Sequence, residues 1–487
     1  MNVVEPVLFQ CRVNPYALAI CTPGSAVDHV NYGTLATAMA NVARAALSRG
    51  LKPRDVIVLS VGETIFHAIL TLTLMRLGMV PIAGKLDSIP AGLKIDAIVT
   101  DRPEQFAGRS NVITFDQSWT LGEDVPFDYD SVHQTQLDDL CAIVLTSGST
   151  GVAKAIGFTH GNLAIRTSSY LYSKGPSFLN GTRLFCDLGI GTSPGFRYMV
   201  LMLWRGGTVY YLGADPTAIL QLLDLHKIDI MSTSPYGLSQ FVQYFERDSA
   251  YDCNFQSIVT QGAMLTKELS ERVRRRMCQN LYCTYGATEV GTVAMAPAAV
   301  LAEAPGAVGY VEPGVRLQVL DQSGNVLAPG REGRVRVKTA SMVSAYVGDS
   351  EKSASAFVDG FFDTGDLGYV DASGLFVVSR RAKTVLNLGS FSIKPEIIED
   401  VVNSFVGIEQ AAVLSIPNEL GIEEPWALVV AKGAVDEEAL RRHCEGKLKD
   451  IAVPVRFVTV DSIPRGGQGK IERHRLAEIC LHNAKRA

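Results

Sequence analysis

Leu145-Thr146-Ser147-Gly148-Ser149-Thr150-Gly151-Val152-Ala153-Lys154 is the stretch on which the reading of this chain turns. It follows an apolar run, Cys141-Ala142-Ile143-Val144-Leu145, whose length and β-branched content predict a buried strand. Thr146 to Gly151 packs four hydroxyls and two glycines into six positions, and Lys154 follows. Glycines let backbone N–H groups come close to anionic oxygens, hydroxyls donate further hydrogen bonds, and a lysine adds a point charge. The composition therefore suits phosphate. It is not a P-loop, because the position five beyond Gly148 is Ala153 rather than glycine. On composition alone a flexible surface turn of Ser, Thr and Gly remains an equal alternative.

Upstream, strands and helices alternate. Thr34 to Gly50 predicts an amphipathic helix with Leu35, Met39, Val42, Ala43, Ala46 and Leu47 on one face and Gly50 at its C-terminal end. Asp55–Ser60 reads as a buried strand, Ile65–Leu77 as a buried helix, and Val80–Ala83 and Ala97–Val99 as further strands. Such alternation predicts a parallel or mixed sheet covered by helices. From about Gly306 short strands, Leu317–Leu320 and Gly333–Val337 among them, alternate with Gly-rich turns, which predicts an antiparallel or barrel-like region. After Arg381 a small α+β unit is expected. Its helices are Ile397–Phe405 and Glu437–Lys449, and its strands Ala411–Ile416, Trp426–Ala431 and Val455–Val460.

The whole chain has 487 residues, ample for roughly three domain-sized units and a large core. Lys plus Arg is 45 against 50 Asp plus Glu, a net charge of −5, which argues against a strongly basic nucleic-acid surface. With 47% hydrophobic residues it is not a disordered chain. The most apolar stretch, Ile65–Ala83, carries His67 and Arg76 and is too interrupted to span a bilayer. Met1–Pro6 lacks the basic and apolar regions of a signal peptide. Nine scattered cysteines without a CxxC predict buried reduced thiols, and hence a cytoplasmic protein, rather than a disulfide or zinc framework.

Thr-Ser-Gly-Ser-Thr-Gly-x-x-Lys resembles the phosphate loop of the adenylate-forming superfamily: acyl- and aryl-CoA ligases, peptide-synthetase adenylation domains and luciferases. Four further segments resemble that family's motifs in the family's order. They are Tyr285-Gly286-Ala287-Thr288-Glu289 (YGxTE), Phe362-Asp363-Thr364-Gly365-Asp366 ((Y/F)xTGD), Arg381-Ala382-Lys383 (Arg-x-Lys) and Pro464–Lys470 (PxxxxGK). The resemblance implies an α/β fold with a large N-terminal domain of stacked sheets, residues 1–381. A β-barrel-like subdomain is expected at about 306–381, and a small mobile α+β C-terminal domain at 382–487.

The resemblance also implies a reaction. A carboxylate attacks the α-phosphorus of ATP, pyrophosphate leaves, and the acyl-AMP passes its acyl group to a thiol, most simply that of CoA. An anion must approach a polyanion, so cations and oriented donors have to stabilise the transition state. The implied roles are these. Thr146, Ser147, Gly148, Ser149, Thr150, Gly151 and Lys154 hold the β- and γ-phosphates. Thr288 bonds the α-phosphate, and Glu289 helps hold Mg²⁺, which prefers oxygen ligands. Tyr285, Gly286 and Ala287 lie against the adenine. Gln261, Gly262 and Ala263 stand for the family's GGA segment beside adenine and acyl group, with Gln261 replacing its first glycine. Asp366 accepts from the ribose hydroxyls, with an Asx turn as the alternative role. Arg381 approaches ribose or phosphate, Lys383 is the hinge about which the C-terminal domain turns, and Lys470 is the adenylation lysine.

The acid pocket is expected along Asp187–Arg197, Ser234–Gly237 and Gly262–Met264, with Ile190, Ser193, Tyr236 and Gly262 as lining residues. Amino-acid-activating relatives place an Asp in the first segment. Ser193 stands there, with Asp187 six residues earlier, so an apolar or aryl acid without a free α-amine is expected. After the hinge, Ser390 and Ser392 stand where the family has Gly and Arg or Gln, which weakens the thiol-transfer half of the assignment. Transfer to a carrier-protein thiol or to an amine is the alternative, and a non-catalytic nucleotide-binding protein the remote one.

Overall fold

The computed structural model describes residues 2–83, 89–122, 133–146, 153–174, 182–211, 223, 225–247, 255–304, 306–381, 386–388, 391–464, 471 and 476–480, without the side chains of 172–174, 247, 380, 381 and 392. Among the sequence-predicted positions, Ser147, Gly148, Ser149, Thr150, Gly151, Lys383 and Lys470 lie outside the described residues, as does the side chain of Arg381.

The alternation upstream of the Ser/Thr/Gly loop folds into a six-stranded sheet in the order Val112–Thr114, Ala97–Thr100, Val56–Ser60, Val80–Ala83, Leu140–Thr146, Lys154–Thr159. Its first five strands are parallel and its last pair antiparallel. The loop is thus the connection of an edge hairpin, with Thr146 directly opposite Lys154. The helix Tyr32–Ser48 is capped by Asn31, whose side chain accepts from Thr34 N–H, and Gly50 follows it at φ 81°, where a left-handed residue ends a helix. The helix Thr64–Arg76 is buried over nearly its whole length.

A second sheet has fourteen strands among the described residues. Its parallel half runs Leu18–Cys21, Thr208–Tyr211, Arg183–Cys186, Ile230–Thr233, Ser257–Gln261, Leu281–Ala287. The strand Gly291–Pro297 then reverses direction, and the β-rich region continues the sheet antiparallel through Ala307–Val311, Leu375–Arg381, Phe361–Val370, Gly333–Lys338 and Arg316–Leu320. This is the β-rich region expected from about 306; no closed barrel forms among the described residues. One apolar cluster joins the two sheets, including Ile57, Leu59, Phe158, Tyr198, Met199 and Phe376.

A third sheet, Ile408–Pro417, Glu423–Ala431 and Arg456–Thr459, packs with the helices Pro395–Asn403 and Glu437–Glu445 around a core of its own. The second of these helices ends four residues before the sequence suggests, with Gly446 as its C-cap. The turn of this unit reaches the large body. Leu420 and Ile422, both 4% exposed, join the cluster of Leu238, Leu269 and Val273, and Thr266 Oγ1 donates to Leu420 O at 2.8 Å. The eight described cysteines are buried free thiols, and among the described residues no helix is long and apolar enough to cross a membrane.

The first residues tie the layers together. Asn2 Nδ2 donates to Met75 O and Arg76 O, Val3 N–H donates to His160 Nδ1 at 3.1 Å, and Trp204 Nε1–H donates to Val3 O at 2.7 Å. An accepting Nδ1 requires a neutral ring, and burial lowers His160 to about 4; burial alone does the same to His67. The unfolded chain, with histidines near 6.5, binds these protons first. Stability from the two rings is therefore complete above about pH 6.5 and falls as pH drops toward 4, by up to roughly 3 kcal/mol per ring. Urea midpoints should decline across that interval. His160→Asn, which keeps an acceptor for Val3 N–H, should flatten the decline; an unchanged slope in that variant contradicts the assignment.

Candidate active site

Lys154 opens the strand after the loop, and its ammonium meets two partners. Nζ donates to Tyr346 Oη at 2.9 Å and lies 3.5 Å from Glu289 Oε1. Tyr346 Oη in turn donates to the same Glu289 oxygen at 2.8 Å, closing a triangle. Glu289 is 6% exposed, so these contacts replace the water its charge would otherwise need. Oε2 accepts no hydrogen bond among the described residues. Burial, then the Glu289 charge, pushes the Tyr346 phenol well above its ordinary value, so it stays a donor. Sequence reasoning missed Tyr346. It arrives by a β-bridge to Ile156, which no local signal in its own segment foretells.

The turn carrying Thr288 and Glu289 is fixed from behind by a second residue the sequence did not single out. Arg166, on the helix His160–Lys174, donates from Nη1 to Thr288 O at 2.7 Å, from Nη2 to Glu289 O at 2.8 Å and from Nε to Ser341 O at 3.0 Å. Its guanidinium lies 4.7 Å from the Phe158 ring centroid. Burial, with the nearby Arg197 adding to it, lowers Arg166 to about 9, which leaves it charged at neutral pH. Gly286 is required where it stands: a Cβ there would sit 2.2 Å from Gly291 O in the hairpin that follows.

Tyr285 and Asp366 also converge. Tyr285 Oη donates to Asp366 Oδ2 at 2.5 Å, and its ring packs on Phe376 with centroids 5.3 Å apart. Asp366 is 4% exposed and sits opposite Arg381 in strand register. The Asx turn here belongs to Asp363, whose Oδ1 accepts from Gly365 N–H, while Thr364 Oγ1 accepts from Asp366 N–H and donates to Val335 O. Asp366 is thereby released from turn duty.

Gln261 ends the strand beside Thr284, one residue before Tyr285. Its Nε2 donates to Ser232 Oγ at 3.1 Å, and its Oε1 accepts from Arg197 Nη2 at 3.3 Å. Gly262 follows at φ 96°, left-handed backbone that favours glycine. A cavity of about 350 Å³ opens behind the Thr288–Glu289 turn, lined by Ser169, Tyr170, Arg197, Thr292, Glu312 and Thr339 among others. The expected pocket residues Ile190, Ser193, Tyr236 and Gly262 do not line this cavity. Ser193 occupies the first turn of the helix Ser193–Trp204, and the chain enters the cavity one turn later, at Arg197. Tyr236 is 38% exposed, close enough to Glu424 and Asp450 of the small unit for their charges, after burial, to raise its phenol. Asp187 lies beneath Thr233 Oγ1, which donates to it at 2.6 Å, and burial of its carboxyl pushes it up to about 7.

Two family models match the chain, AMP-binding enzyme over residues 9–347 and AMP-binding enzyme C-terminal domain over residues 397–470. The chain belongs to the AMP-binding enzyme family. Among relatives of this member, a 2-succinylbenzoate–CoA ligase of Listeria monocytogenes is 28% identical over 354 residues, 70% of each chain. A 4-chlorobenzoate–CoA ligase of Arthrobacter sp is 24% identical over 509 residues, 97% of this chain and 94% of the relative. The fold is shared with the amide bond synthetase McbA from Marinactinospora thermotolerans, at TM-score 0.81 and 22% identity, covering 98% of this chain and 99% of that one.

Proposed function

We propose that this family member is an AMP-forming acid–thiol ligase, activating a carboxylic acid with ATP and passing the acyl group to CoA. The observation that carries the reading is the triangle of Lys154, Tyr346 and Glu289 at the mouth of the hydroxyl-rich loop, with Asp366 and Tyr285 beside it. The loop hydroxyls of Thr146, Ser147, Ser149 and Thr150, the Gly148 and Gly151 backbone and Lys154 hold the departing pyrophosphate. Thr288 donates to the α-phosphate. Asp366 accepts from the ribose hydroxyls, with Arg381 beside it, and Tyr285, Gly286 and Ala287 border the adenine.

Among the described residues no three His, Cys, Asp or Glu side chains converge. A buried carboxylate with one oxygen free of donors from the described residues nevertheless suits Mg²⁺, which keeps most of its shell as water and phosphate oxygens. Glu289 would hold the ion, which would neutralise phosphate charge. Lys470, carried in on the small unit of residues 382–487, contacts the carboxylate and α-phosphate oxygens; Lys383 is the pivot on which that unit then withdraws it. The relatives named as CoA ligases support CoA as acceptor, and the buried free thiols suit a cytoplasmic setting. A second reading, transfer to an amine or a carrier-protein thiol, draws support from the likeness to an amide bond synthetase and from Ser390 and Ser392.

A pyrophosphate-release screen over aryl, short-chain, long-chain and amino acids, with and without CoA, tests both. The thiol-ligase reading expects acid-dependent pyrophosphate and, with CoA, AMP plus acyl-CoA. Acyl-AMP that ignores CoA and turns over with an amine or carrier favours the second. Lys470→Ala should lower acyl-AMP formation by about 10²-fold or more with an unchanged melting curve; an unaltered rate refutes its assignment.

A further inference from the structure

We propose that the acid this protein activates carries a second carboxylate, and that Arg197 binds it. The inference rests on the ligase reading for the role of the site, and on the cavity for its content. Arg197 projects from the helix Ser193–Trp204 into the cavity behind the Thr288–Glu289 turn. Its guanidinium lies 4.6 Å from the Tyr170 ring centroid and 5.2 Å from that of Tyr198, and the two phenols are hydrogen-bonded to each other. This edge-on aromatic pair fixes the guanidinium plane, the arrangement in which arginine presents its fork to a carboxylate.

Arg197 has no carboxylate within ion-pair distance among the described residues. Its polar contacts are two long ones to neutral oxygens, Gln261 Oε1 at 3.3 Å and Thr292 Oγ1 at 3.4 Å, and Nε is buried without an acceptor. A half-buried guanidinium held this way is costly unless something anionic shares its site. Arg166 lines the same cavity but is committed to three carbonyls. Glu312 is the one acidic side chain among the described lining residues, against two arginines. Ser169 and Thr292 add hydroxyls to the same wall.

Position links the cavity to the reaction. Arg197 reaches Gln261, the residue just ahead of the Gly262-Ala263 segment assigned to the acyl group. An acid whose reacting carboxylate lies at that segment can extend toward Arg197, and about 350 Å³ is room for a small aromatic or short aliphatic body. The resulting substrate class is a compact dicarboxylic acid with one end adenylated and the other end clamped.

The test compares phthalate, terephthalate, glutarate and adipate, each with its monomethyl ester. In pyrophosphate release at least one diacid should exceed its own ester about tenfold or more in kcat/KM, as loss of a charge-assisted bidentate pair predicts. Arg197→Gln should erase that preference, mainly through KM, and Arg197→Lys should keep part of it. Calorimetric binding of the same acids, without ATP, separates the two readings. A diacid that binds the wild type and not Arg197→Gln, yet releases no pyrophosphate, retains the anion site and sinks the ligase reading. Diacids that neither bind nor turn over better than their esters overturn the anion site, as does an Arg197→Gln effect equal on diacid and ester. The wild-type comparison stands even if the variants fold poorly.

Discussion

Lys154→Ala and Glu289→Gln should each lower acid-dependent pyrophosphate release by about 10²- to 10³-fold, the loss typical when one preorganised charge is taken from a developing anionic transition state. The two variants should differ in how they fail. Lys154 is about one-third exposed and bonded to Tyr346, so its loss leaves a buried carboxylate that still accepts from the phenol. Lys154→Ala should therefore fold normally and fail mainly in kcat. Glu289→Gln keeps the shape and the acceptor for Tyr346 but removes the charge. Raising Mg²⁺ should recover part of its activity and none of that of Lys154→Ala. Steady-state kinetics across a Mg²⁺ series separate these patterns, and identical Mg²⁺ responses in both variants would falsify the assignment of Glu289 to the metal.

Arg166→Met should be the most damaging single change to stability, and it should lower turnover as well. It removes a buried charged donor from Thr288 O, Glu289 O and Ser341 O, and among the described residues only the Glu289 carbonyl has a second donor, Val343 N–H at 2.9 Å. Breaking such a buried network costs about 3–5 kcal/mol. The thermal midpoint should fall by several degrees, and pyrophosphate release measured well below it should fall by more than tenfold, because the turn that aims Thr288 and Glu289 loses its anchor. Arg166→Lys, which reaches fewer of the carbonyls, should lie between. An unchanged midpoint in Arg166→Met contradicts the anchoring role.

The sequence made much of the site readable because that part is written in contiguous strings. Tyr285 to Glu289 and Phe362 to Asp366 hold their key side chains within a few residues of glycines that only one backbone path tolerates. Where such strings exist, position along the chain translates readily into position in the fold: Lys154 and Glu289, 135 residues apart, come within 3.5 Å of each other. What stayed hidden is held by long-range packing. Tyr346 reaches Glu289 through a bridge between segments 190 residues apart. Arg166 and Arg197 are lone cations on helices, and nothing in a single sequence separates such a residue from a solvated one. The lining of the cavity behind the Thr288–Glu289 turn was hidden for a related reason. The expected lining residues follow a segment, whereas a helix presents one side per turn, and the turn that enters the cavity is that of Arg197. Strand alternation revealed the sheets but not that the β-rich region would extend the second one, since edge pairing depends on which neighbour arrives.

The contact made by Leu420 and Ile422 gives the small unit a mechanical character. Two aliphatic side chains seated in the large body's core, worth about 1.5–3 kcal/mol each, act as a catch rather than a tether. If the small unit turns as proposed, that motion has to unseat them, which would favour the seated orientation by roughly two to four orders of magnitude in population unless another contact replaces theirs. Under that proposal part of the free energy of each catalytic cycle would be spent on opening a clasp, and polar residues at 420 and 422 would turn a ratcheted motion into a freely diffusing one.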